Sequence, residues 1–345
     1  MKYKTYALGE LVQIKYGKNQ KKVLSEEGTI PIYGTGGLMG YATESLYDKP
    51  SVLIGRKGTI GKVRYVDHPF WTVDTLFYTI VNTELVLPKY LFYLMSQMDL
   101  NAYNEGTTIP SLRTETLNRL EFDIPSIEEQ KEVLSYLEPI DDKIQLNTEI
   151  NKNLQVQAQA IYTKMFITDA DSSWPEGKLS DLIEVCYGKD HKKLNDGDIP
   201  VYGSGGIMRH VDQSLYDQES VLIPRKGTLN NVMYVNEPFW SVDTMFYTKM
   251  KRPNVAKFVF HFIKGKDLAS MNAGSAVPSM TTKILDAIPL QIPDDQTLSN
   301  FETQVSPYYE AITCNNTESE NLATLRDVLL PKLMSGEIDV SDIDL

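Results

Sequence analysis

Two residue types that hold many small or metal-dependent proteins together are scarce in this sequence. Its 345 residues include two cysteines, Cys186 and Cys314, and four histidines, none of which stand at the spacing of zinc ligands. A disulfide scaffold and a structural metal site are therefore excluded as the basis of the fold.

The sequence also lacks long hydrophobic runs. No run of eighteen apolar residues occurs, and the first six residues have no apolar core of the kind found in signal peptides. We therefore expect a cytoplasmic protein without a membrane partner. Hydrophobic residues make up 42% and charged residues 23% of the chain, a balance typical of soluble globular proteins, and the length suffices for two domains.

Acidic residues are in excess, and the formal net charge of −12 by itself argues against a nucleic-acid partner. The excess is unevenly distributed, however. Residues 1–125 hold 14 basic and 13 acidic residues, and residues 169–293 hold 14 and 15. The surplus lies in residues 126–168 and above all in residues 294–345, so the two larger blocks remain free to carry a basic surface.

An internal repeat of about 170 residues organises the chain. The block of 29 residues that starts at Ser51 recurs from Ser220 with 20 identical positions and no gap. Upstream, the pattern Ile-Pro-x-Tyr-Gly-x-Gly-Gly occurs at Ile30 and again at Ile199. The sequence is therefore predicted to encode the same unit twice.

The first part of each copy is predicted to form a β-sheet. Short apolar or alternating runs, such as residues 51–54 and 73–80, are separated by glycine-containing turns, which is typical of antiparallel strands. A helix is expected around residues 87–98.

The second part of each copy changes to a helical period. Over residues 126–168 and again over 294–345, apolar residues interrupted by polar ones recur at steps of three and four, the heptad pattern of a coiled coil. The positions predicted to pair the helices or to bind partners are Leu137, Ile140, Ile144, Leu154, Ile161, Phe301, Val305, Ile312, Leu322 and Leu329. Pro139 and Pro307 occupy equivalent places and predict a kink or a restart in each helix.

Helices of this length with a partly polar seam are marginal alone in water, so the two are expected to pair. Antiparallel pairing would put the sheet domains at opposite ends, and a helix over residues 139–168 would be about 45 Å long, against roughly 34–36 Å for one turn of B-DNA. The predicted fold class is α+β: two similar domains, each a twisted β-sheet with helices, separated by two long antiparallel coiled-coil helices and related by a pseudo-twofold internal repeat.

Two glycine-rich segments have the composition of phosphate-binding loops but not their spacing. Residues 33–37 are not followed by Gly-Lys-Ser/Thr, and a tight turn between strands is the favoured interpretation. In residues 55–62 the spacing is one residue too long, and Val63 stands where a hydroxyl is required. No nucleotide site is predicted.

Paired cations precede a turn in both copies. Arg56-Lys57-Gly58-Thr59 recurs as Arg225-Lys226-Gly227-Thr228, and such cations fit contact with phosphate or with a guanine edge. Lysines also cluster where the copies differ in length, as in a loop that reads nucleic acid. For the Arg-Lys-Gly-Thr turn, the alternative is a solvated basic turn. For the lysine clusters, the alternative is a flexible surface loop with incidental lysines.

Hydroxyl side chains before Ser111 and Ser279 add possible phosphate contacts, whereas these two serines are expected to cap helices. The candidate nucleic-acid contacts of the first copy are Lys18, Lys21, Lys22, Tyr33, Arg56, Lys57, Thr107 and Thr108. Those of the second copy are Lys189, His191, Lys192, Lys193, Tyr202, Arg225, Lys226 and Ser275.

No catalytic site is predicted. Asp74 and Asp243 recur, but a nuclease or glycosidase needs further carboxylates fixed beside them. The Gly-x-Ser-x-Gly, His-Glu-x-x-His and dinucleotide-binding motifs are absent from the sequence. The aromatic pairs Phe70-Trp71 and Phe239-Trp240 are expected in the core.

Taken together, the motifs resemble the specificity subunit of type I restriction-modification enzymes. The resemblance rests on Ile-Pro-x-Tyr-Gly-x-Gly-Gly, the Arg-Lys-Gly-Thr turn, Pro-Phe-Trp-x-Val-Asp-Thr, the Ile-Pro exit into a long helix, and the ending Leu-Leu-Pro-Lys-Leu-Met-Ser-Gly-Glu-Ile at residues 329–338. It covers essentially the entire chain, twice over.

This resemblance implies that residues 1–125 and 169–293 are target recognition domains, each binding one half of a split double-stranded DNA sequence. Residues 126–168 and 294–345 would be the conserved helical spacers, which dock two methyltransferase subunits. Those partners bind S-adenosylmethionine, while separate motor-nuclease subunits use ATP and Mg. The chain itself would hold no cofactor and no metal and would perform no catalysis.

The repeat adds a hypothesis of its own. Because the two copies share their scaffold and several loops, the two DNA half-sites are expected to be related by inverted symmetry without being identical. Three other interpretations remain: an enzyme acting alone on DNA or sugar, an adhesin or carbohydrate-binding module, and the specificity portion of an enzyme whose methyltransferase is a separate chain.

Overall fold

Nine short strands, three short α-helices and a 3-10 helix (Leu100–Tyr103) make up the first copy of the repeat in the computed structural model, which describes residues 2–271 and 279–338. The strands are β1 (Lys4–Ala7), β2 (Val12–Tyr16), β3 (Ile30–Gly34), β4 (Gly37–Ala42), β5 (Ser51–Gly55), β6 (Val63–Val66), β7 (Trp71–Thr72), β8 (Leu76–Val81) and β9 (Glu121–Ile124). The α-helices are α1 (Leu8–Leu11), α2 (Pro88–Ser96) and α3 (Thr114–Asn118).

These strands form three sheets. A four-stranded sheet has the order β2-β8-β5-β6 and is antiparallel throughout. A three-stranded sheet has the order β4-β3-β7, in which β3 and β7 run parallel, and β1 pairs with β9. The central strand β5 is buried along its whole length, which explains its nearly continuous apolar sequence.

The first long helix, α4 (Ile127–Thr163), leads into a π-helical turn, Lys164–Thr168. The second copy then repeats the first. Its strands are β10 (Glu176–Lys178), β11 (Ile183–Tyr187), β12 (Ile199–Gly203), β13 (Gly206–Val211), β14 (Ser220–Pro224), β15 (Met233–Val235), β16 (Trp240–Ser241), β17 (Met245–Met250) and β18 (Pro289–Gln291). Its helices are α5 (Leu179–Leu182), α6 (Ala256–Lys264) and α7 (Thr282–Asp286), followed by the second long helix, α8 (Asp295–Ser335).

The strand orders β11-β17-β14-β15, β13-β12-β16 and β10-β18 match those of the first copy position for position. The sequence repeat is therefore a structural repeat. The expected strand at residues 51–54 and the expected helix near residues 87–98 are confirmed as β5 and α2, and Phe70 and Phe239 are fully buried.

A pair of buried hydroxyls joins the two central strands of each four-stranded sheet. Ser51 Oγ donates a hydrogen bond of 2.7 Å to the Thr79 carbonyl, and the Val52 N–H donates to Thr79 Oγ1 at 2.9 Å. Ser220 and Thr248 form the same pair, 2.8 Å from Ser220 Oγ to the Thr248 carbonyl. All four hydroxyl residues are 0% exposed, so these bonds form in a low-dielectric interior and fix the register of β5 on β8 and of β14 on β17.

The chain divides into two compact units. One consists of Met1–Leu146 with Thr317–Leu345, and the other of Asn147–Asn316. Each unit thus contains one sheet domain, the first part of the long helix that follows it, and the last part of the other long helix.

Within each unit the two long helices run antiparallel. In the first unit the Arg326 guanidinium contacts Asp141 Oδ1 at 2.9 Å, while Lys143 pairs with Glu318 at 3.2 Å. In the second unit Gln304 Nε2 donates to Met165 Sδ at 3.6 Å. The predicted fold class, α+β with a repeated sheet domain and long antiparallel helices, is confirmed.

Every predicted seam position is buried or half-buried, and none is exposed. The seam turns polar at four asparagines of the second unit. Asn147 Nδ2 donates to the Asn315 carbonyl at 3.3 Å, Asn151 Nδ2 donates to Asn316 Oδ1 at 2.8 Å, and Asn315 Nδ2 donates to Asn151 Oδ1 at 2.8 Å. Asn147 is 0% exposed and Asn151 is 8% exposed. A buried asparagine layer of this kind fixes the alignment of paired helices.

The expected restart of the helices at proline is wrong. Both α4 and α8 continue through Pro139 and Pro307, and α4 begins at Ile127, well before its proline. Both prolines are exposed, so each removes one backbone hydrogen bond from the solvent side of a helix that packing holds on the other side. At 1.5 Å per residue, the 37 residues of α4 span about 55 Å, more than the 45 Å expected.

Each sheet domain is tied to its long helices by a polar side chain at one matched position. In the first unit the Tyr93 hydroxyl donates to Asp141 Oδ2 at 2.5 Å. In the second unit His261 takes this place, with Nδ1 2.8 Å from Gln159 Oε1 and Nε2 2.8 Å from the Tyr309 hydroxyl. Burial lowers the pKa of His261 to about 4, so the ring is neutral at pH 7 and joins both partners as one donor and one acceptor.

Among the described residues, no helix is long and apolar enough to cross a bilayer. The same residues contain no cluster of three His, Cys, Asp or Glu side chains that could hold a metal ion.

The buried hydroxyl pair predicts a stability change. Thr79→Val removes the oxygen that the Val52 N–H needs, and an unsatisfied buried donor costs about 1–3 kcal/mol. Urea unfolding should show this loss for Thr79→Val and a similar loss for Thr248→Val. The exposed Thr83→Val serves as the matched control and should leave the midpoint unchanged. Equal midpoints for Thr79→Val and Thr83→Val would contradict the assigned role of the pair.

Candidate nucleic-acid interface

The Arg-Lys-Gly-Thr turn emerges from the buried strand β5. The N–H groups of Arg56 and Lys57 both donate to the Thr75 carbonyl, at 2.8 and 3.2 Å. Arg56 Nη1 donates to the Asp74 carbonyl at 2.8 Å, and its guanidinium lies 5.0 Å from the ring centre of Tyr16. Arg56 is therefore half-buried and fixed in place, whereas Lys57 is exposed.

The turn closes at a glycine and is bonded to a second loop. Gly58 has φ +87°, a value that other residues rarely adopt, and its N–H donates to the Pro110 carbonyl at 2.9 Å. Lys57 forms a β-bridge with Ser111. The exposed residues Thr107 and Thr108 precede this bridge, so the structure brings them next to the turn.

The expected helix-capping role of Ser111 and Ser279 is wrong. Helix α3 begins after Arg113 and helix α7 after Thr281, whose hydroxyl accepts from the N–H of Ile284. Ser279 instead forms a β-bridge with Lys226, as Ser111 does with Lys57. Both serines lie too far ahead of their helices to cap them, and they serve to hold the basic turn.

The second copy reproduces the turn. The Arg225 N–H donates to the Thr244 carbonyl at 2.8 Å, and Arg225 Nη1 donates to the Asp243 carbonyl at 3.0 Å. The guanidinium lies 5.4 Å from the ring centre of Tyr187. Lys226 is exposed, while the candidate contact Ser275 lies outside the described residues.

The lysine-rich loops are anchored by tryptophans. Trp71 Nε1 donates to the Lys18 carbonyl at 2.9 Å, and Trp240 Nε1 donates to the Lys189 carbonyl at the same distance. Trp71 is buried, as expected for the core, whereas Trp240 is half-buried. Beyond each anchor, Lys21, Lys22, Lys192 and Lys193 are exposed, and His191 is half-buried.

A hairpin that the sequence analysis missed lies beside the basic turn. Strands β3 and β4 are joined by a tight turn, and the second and third residues of β4, Leu38 and Met39, are 53% and 56% exposed. Ile207 and Met208 occupy the same places in the second copy, at 49% and 61%. A signal was present in the sequence, because an adjacent apolar pair directly after the glycine turn recurs in both copies.

Hydrogen bonds and close contacts join these segments within each domain. A Cβ on Gly58 would lie 3.9 Å from Thr35 Oγ1 of the hairpin turn. In the second copy Asn231 Nδ2 donates to the Ser204 carbonyl at 2.9 Å. The lysine loop joins the hairpin through β7, which pairs with β3 and whose Thr72 carbonyl accepts from the Lys18 N–H at 2.8 Å.

We call this set the recognition face. It comprises residues 17–22, 35–39, 56–59 and 107–111 in the first domain, and residues 188–193, 204–208 and 225–228 with Ser279 in the second. It presents lysines, hydroxyls, backbone amides and exposed apolar side chains. That combination suits a charged polymer with apolar edges.

Tyr33 and Tyr202 lie behind the two hairpin turns and are half-buried. The Tyr33 hydroxyl lies 3.0 Å from His68 Nε2, and the Arg64 guanidinium lies 5.2 Å from the Tyr33 ring centre. The Tyr202 hydroxyl instead lies 3.4 Å from Glu237 Oε1. Burial raises the pKa of the Tyr33 hydroxyl, so it stays protonated at neutral pH.

The predicted seam residues are engaged in packing within the long helices and present little surface to a partner. Other apolar residues of the two helices are exposed. They are Leu146, Ile150, Val156, Leu325 and Val328, between 37% and 61% exposed.

Comparison with known proteins assigns this architecture a family. The family model for the type I restriction modification DNA specificity domain matches residues 1–156 and 171–322. The MjaIX specificity subunit of Methanocaldococcus jannaschii is 23% identical, over 86% of this chain and 80% of that protein. The HindI specificity subunit of Haemophilus influenzae is also 23% identical, over 81% and 84%.

A solved structure shares the fold. The S subunit of a type I restriction-modification system from M. genitalium aligns over 96% of both chains with a TM-score of 0.61 and 19% identity. This similarity extends over both copies of the repeat and both long helices.

Close packing at Gly17 predicts that this glycine of the recognition face cannot change without a loss of stability. A Cβ on Gly17 would lie 2.0 Å from the Val73 carbonyl oxygen, whereas a Cβ on Gly36 would meet nothing within 4 Å. Gly17→Ala should therefore displace the lysine loop and lower the stability by about 1–3 kcal/mol. Thermal unfolding of Gly17→Ala beside Gly36→Ala measures this, and equal melting temperatures would show that the loop has room to yield.

Proposed function

The chain belongs to the type I restriction modification DNA specificity family, and on that premise we propose that its two sheet domains each bind one half of a bipartite DNA site. The family supplies DNA sequence specificity and is not itself catalytic. The observation that carries the bipartite proposal is the duplication of the recognition face, down to the bonds of the Arg-Lys-Gly-Thr turn.

Each part of the recognition face has a distinct role in this proposal. The exposed lysines neutralise phosphates and position the domain on the duplex, without reading sequence. Lys57 and Lys226, held at the ends of buried strands, bind the backbone at defined points. The hairpin side chains Leu38, Met39, Ile207 and Met208 make apolar contacts in a groove, for which thymine methyl groups are suitable.

The net charge of −12 does not oppose this role. The two sheet domains are close to neutral, so their basic loops act locally, and the acidic surplus lies in the helical segments. Acidic helices next to a DNA-binding domain disfavour nonspecific contact of the helices with the duplex.

The helical segments are proposed to bind two methyltransferase subunits, which carry S-adenosylmethionine and methylate adenine. The exposed apolar residues of α4 and α8 fit a protein partner, since the seam residues are already packed. Motor-nuclease subunits that use ATP and Mg would join the same complex. The chain's own role is to hold the DNA while these partners react with it.

Removal of one exposed lysine from the turn should weaken binding to all sequences alike. For Lys57→Ala and Lys226→Ala, the slope of log affinity against log salt concentration is expected to fall by about 0.9. Lys131→Ala, an exposed lysine of α4, is the matched control. Titration of fluorescent DNA at several salt concentrations measures the slope, and an unchanged slope in both variants would remove these turns from the interface.

Arg56→Ala and Arg225→Ala should also weaken binding, but they additionally break the bonds to the carbonyl groups of Asp74 and Asp243.

Mapping of methylated adenines tests the bipartite site directly. When the chain is co-expressed with a methyltransferase partner, the methylated motif should consist of two half-sites separated by a gap of fixed length. The half-sites should be related by inversion, because both domains present the same scaffold. A single uninterrupted motif would contradict the bipartite proposal, and two unrelated half-sites would contradict the inverted relation.

A further inference from the structure

We propose that one matched position beside the recognition face gives the two half-sites different bases. In the first domain Arg64 and His68 stand beside Tyr33, and in the second domain Met233 and Glu237 stand beside Tyr202. The inference rests on the proposed DNA-binding function. It assigns to Arg64 the recognition of an acceptor edge, such as guanine, and to Glu237 the recognition of a donor edge, such as the amino group of cytosine or adenine.

The backbone at this position is the same in both domains. Arg64 pairs with Leu53 across β6 and β5, and Met233 pairs with Leu222 across β15 and β14. Strands β3 and β12 both shift register immediately before the tyrosine, which turns Tyr33 and Tyr202 alike. Any difference in binding at this place therefore comes from side-chain chemistry.

The loops that carry His68 and Glu237 are also held alike. In each, a proline and a fully buried phenylalanine follow, and the phenylalanine forms a β-bridge with Tyr47 in the first domain and with Tyr216 in the second. Because of this anchoring, His68 and Glu237, which directly precede the prolines, stay exposed beside Tyr33 and Tyr202.

In the first domain Arg64 supplies a cation at this position, and the nearby Asp67 carboxylate contacts His68, whose Nδ1 lies 3.2 Å from Asp67 Oδ1. The Arg64 guanidinium rests near the Tyr33 ring, and one of its Nη atoms lies 3.3 Å from the place where a Cβ of Gly37 would stand. Gly37 belongs to the hairpin turn, at φ +119°. None of the ion pairs in the described residues involves Arg64, so its charge is available to a ligand in front of the hairpin.

In the second domain the position is acidic. Glu237 is exposed, and it accepts a hydrogen bond from the Tyr202 hydroxyl at 3.4 Å, which leaves its negative charge in place. No ion pair within the described residues neutralises this carboxylate. A bare carboxylate on a DNA-binding face opposes phosphate, and it becomes favourable where it accepts a hydrogen bond from a base amino group. The neighbouring Arg209 does not offset it, because Arg209 is paired with Asp196 at 2.7 Å.

The chemistry of base edges turns this charge difference into a sequence difference. Arginine forms two parallel hydrogen bonds to guanine O6 and N7, while glutamate accepts from cytosine N4. The two half-sites should therefore differ at the base pair that faces this position. Elsewhere they should stay related, because the hairpin tips carry Leu-Met and Ile-Met and the basic turns are alike.

The test exchanges the side chains between the domains in the full chain with its methyltransferase partner. The purified complex of each variant selects DNA from a library in which one half-site is randomised, and the selected sequences are read. Arg64→Met with His68→Glu should change or relax the preference at one base pair of the first half-site by roughly tenfold or more. The second half-site should be unaffected. Glu237→Gln, an isosteric change on the surface, should relax one base pair of the second half-site only.

The control is Arg119→Met, which removes an exposed arginine of the first domain outside the recognition face and should leave both half-sites unchanged. Unaltered preferences in both the exchange variant and Glu237→Gln would overturn the inference. The proposed function would then still stand, provided that the wild-type complex selects a bipartite site. If the wild-type complex selects no DNA sequence, the proposed function itself fails. Should the exchange variant not assemble, Glu237→Gln alone decides, because it alters neither size nor packing.

Discussion

The buried hydroxyl pair between the two central strands is the constraint on which each recognition face depends. Strand β5 is fully buried, and its end delivers the basic turn, so a slip of its register on β8 would move Arg56 and Lys57 to the wrong side of the sheet. Ser51 and Thr79 prevent such a slip, because a shifted strand would leave polar groups unpaired in the core. The bonds from the turn to the Thr75 carbonyl depend in turn on this register.

Duplication explains why the two domains share what holds the face and differ in what it presents. The bonds of Arg56 and Arg225, the tryptophan anchors and the glycine turns recur almost unchanged, since each is needed to shape a backbone. The exposed residues beside the tyrosines do not recur. A scaffold with a fixed backbone lets single exposed side chains change binding without a cost in stability.

Identity between the two copies predicted the repeat, and the spacing of apolar residues predicted the fold class and the helix seam. The sequence left a kink or a restart open at Pro139 and Pro307, and both helices continue, because local proline chemistry gives no account of the packing on the opposite side of the helix. The capping role of Ser111 failed for the same reason, since its bridge to Lys57 is a tertiary contact. The hairpin tip was overlooked because apolar residues are ordinarily assigned to the core. Which side chains contact base edges depends on their orientation, and a sequence pattern does not give the orientation of a side chain.

The asparagine layer in the seam limits how this family member can change in length. Asn147 donates to the Asn315 carbonyl, Asn151 donates to Asn316, and Asn315 donates to Asn151, so these bonds hold the helices in one alignment. An insertion in α4 alone, between Asn147 and Asn151, would move one of these amides away from its partner and leave it without a hydrogen bond in the helix interface. Matched insertions in both helices, on the same side of the layer, would keep these bonds intact, so the asparagines couple the length of α4 to the length of α8.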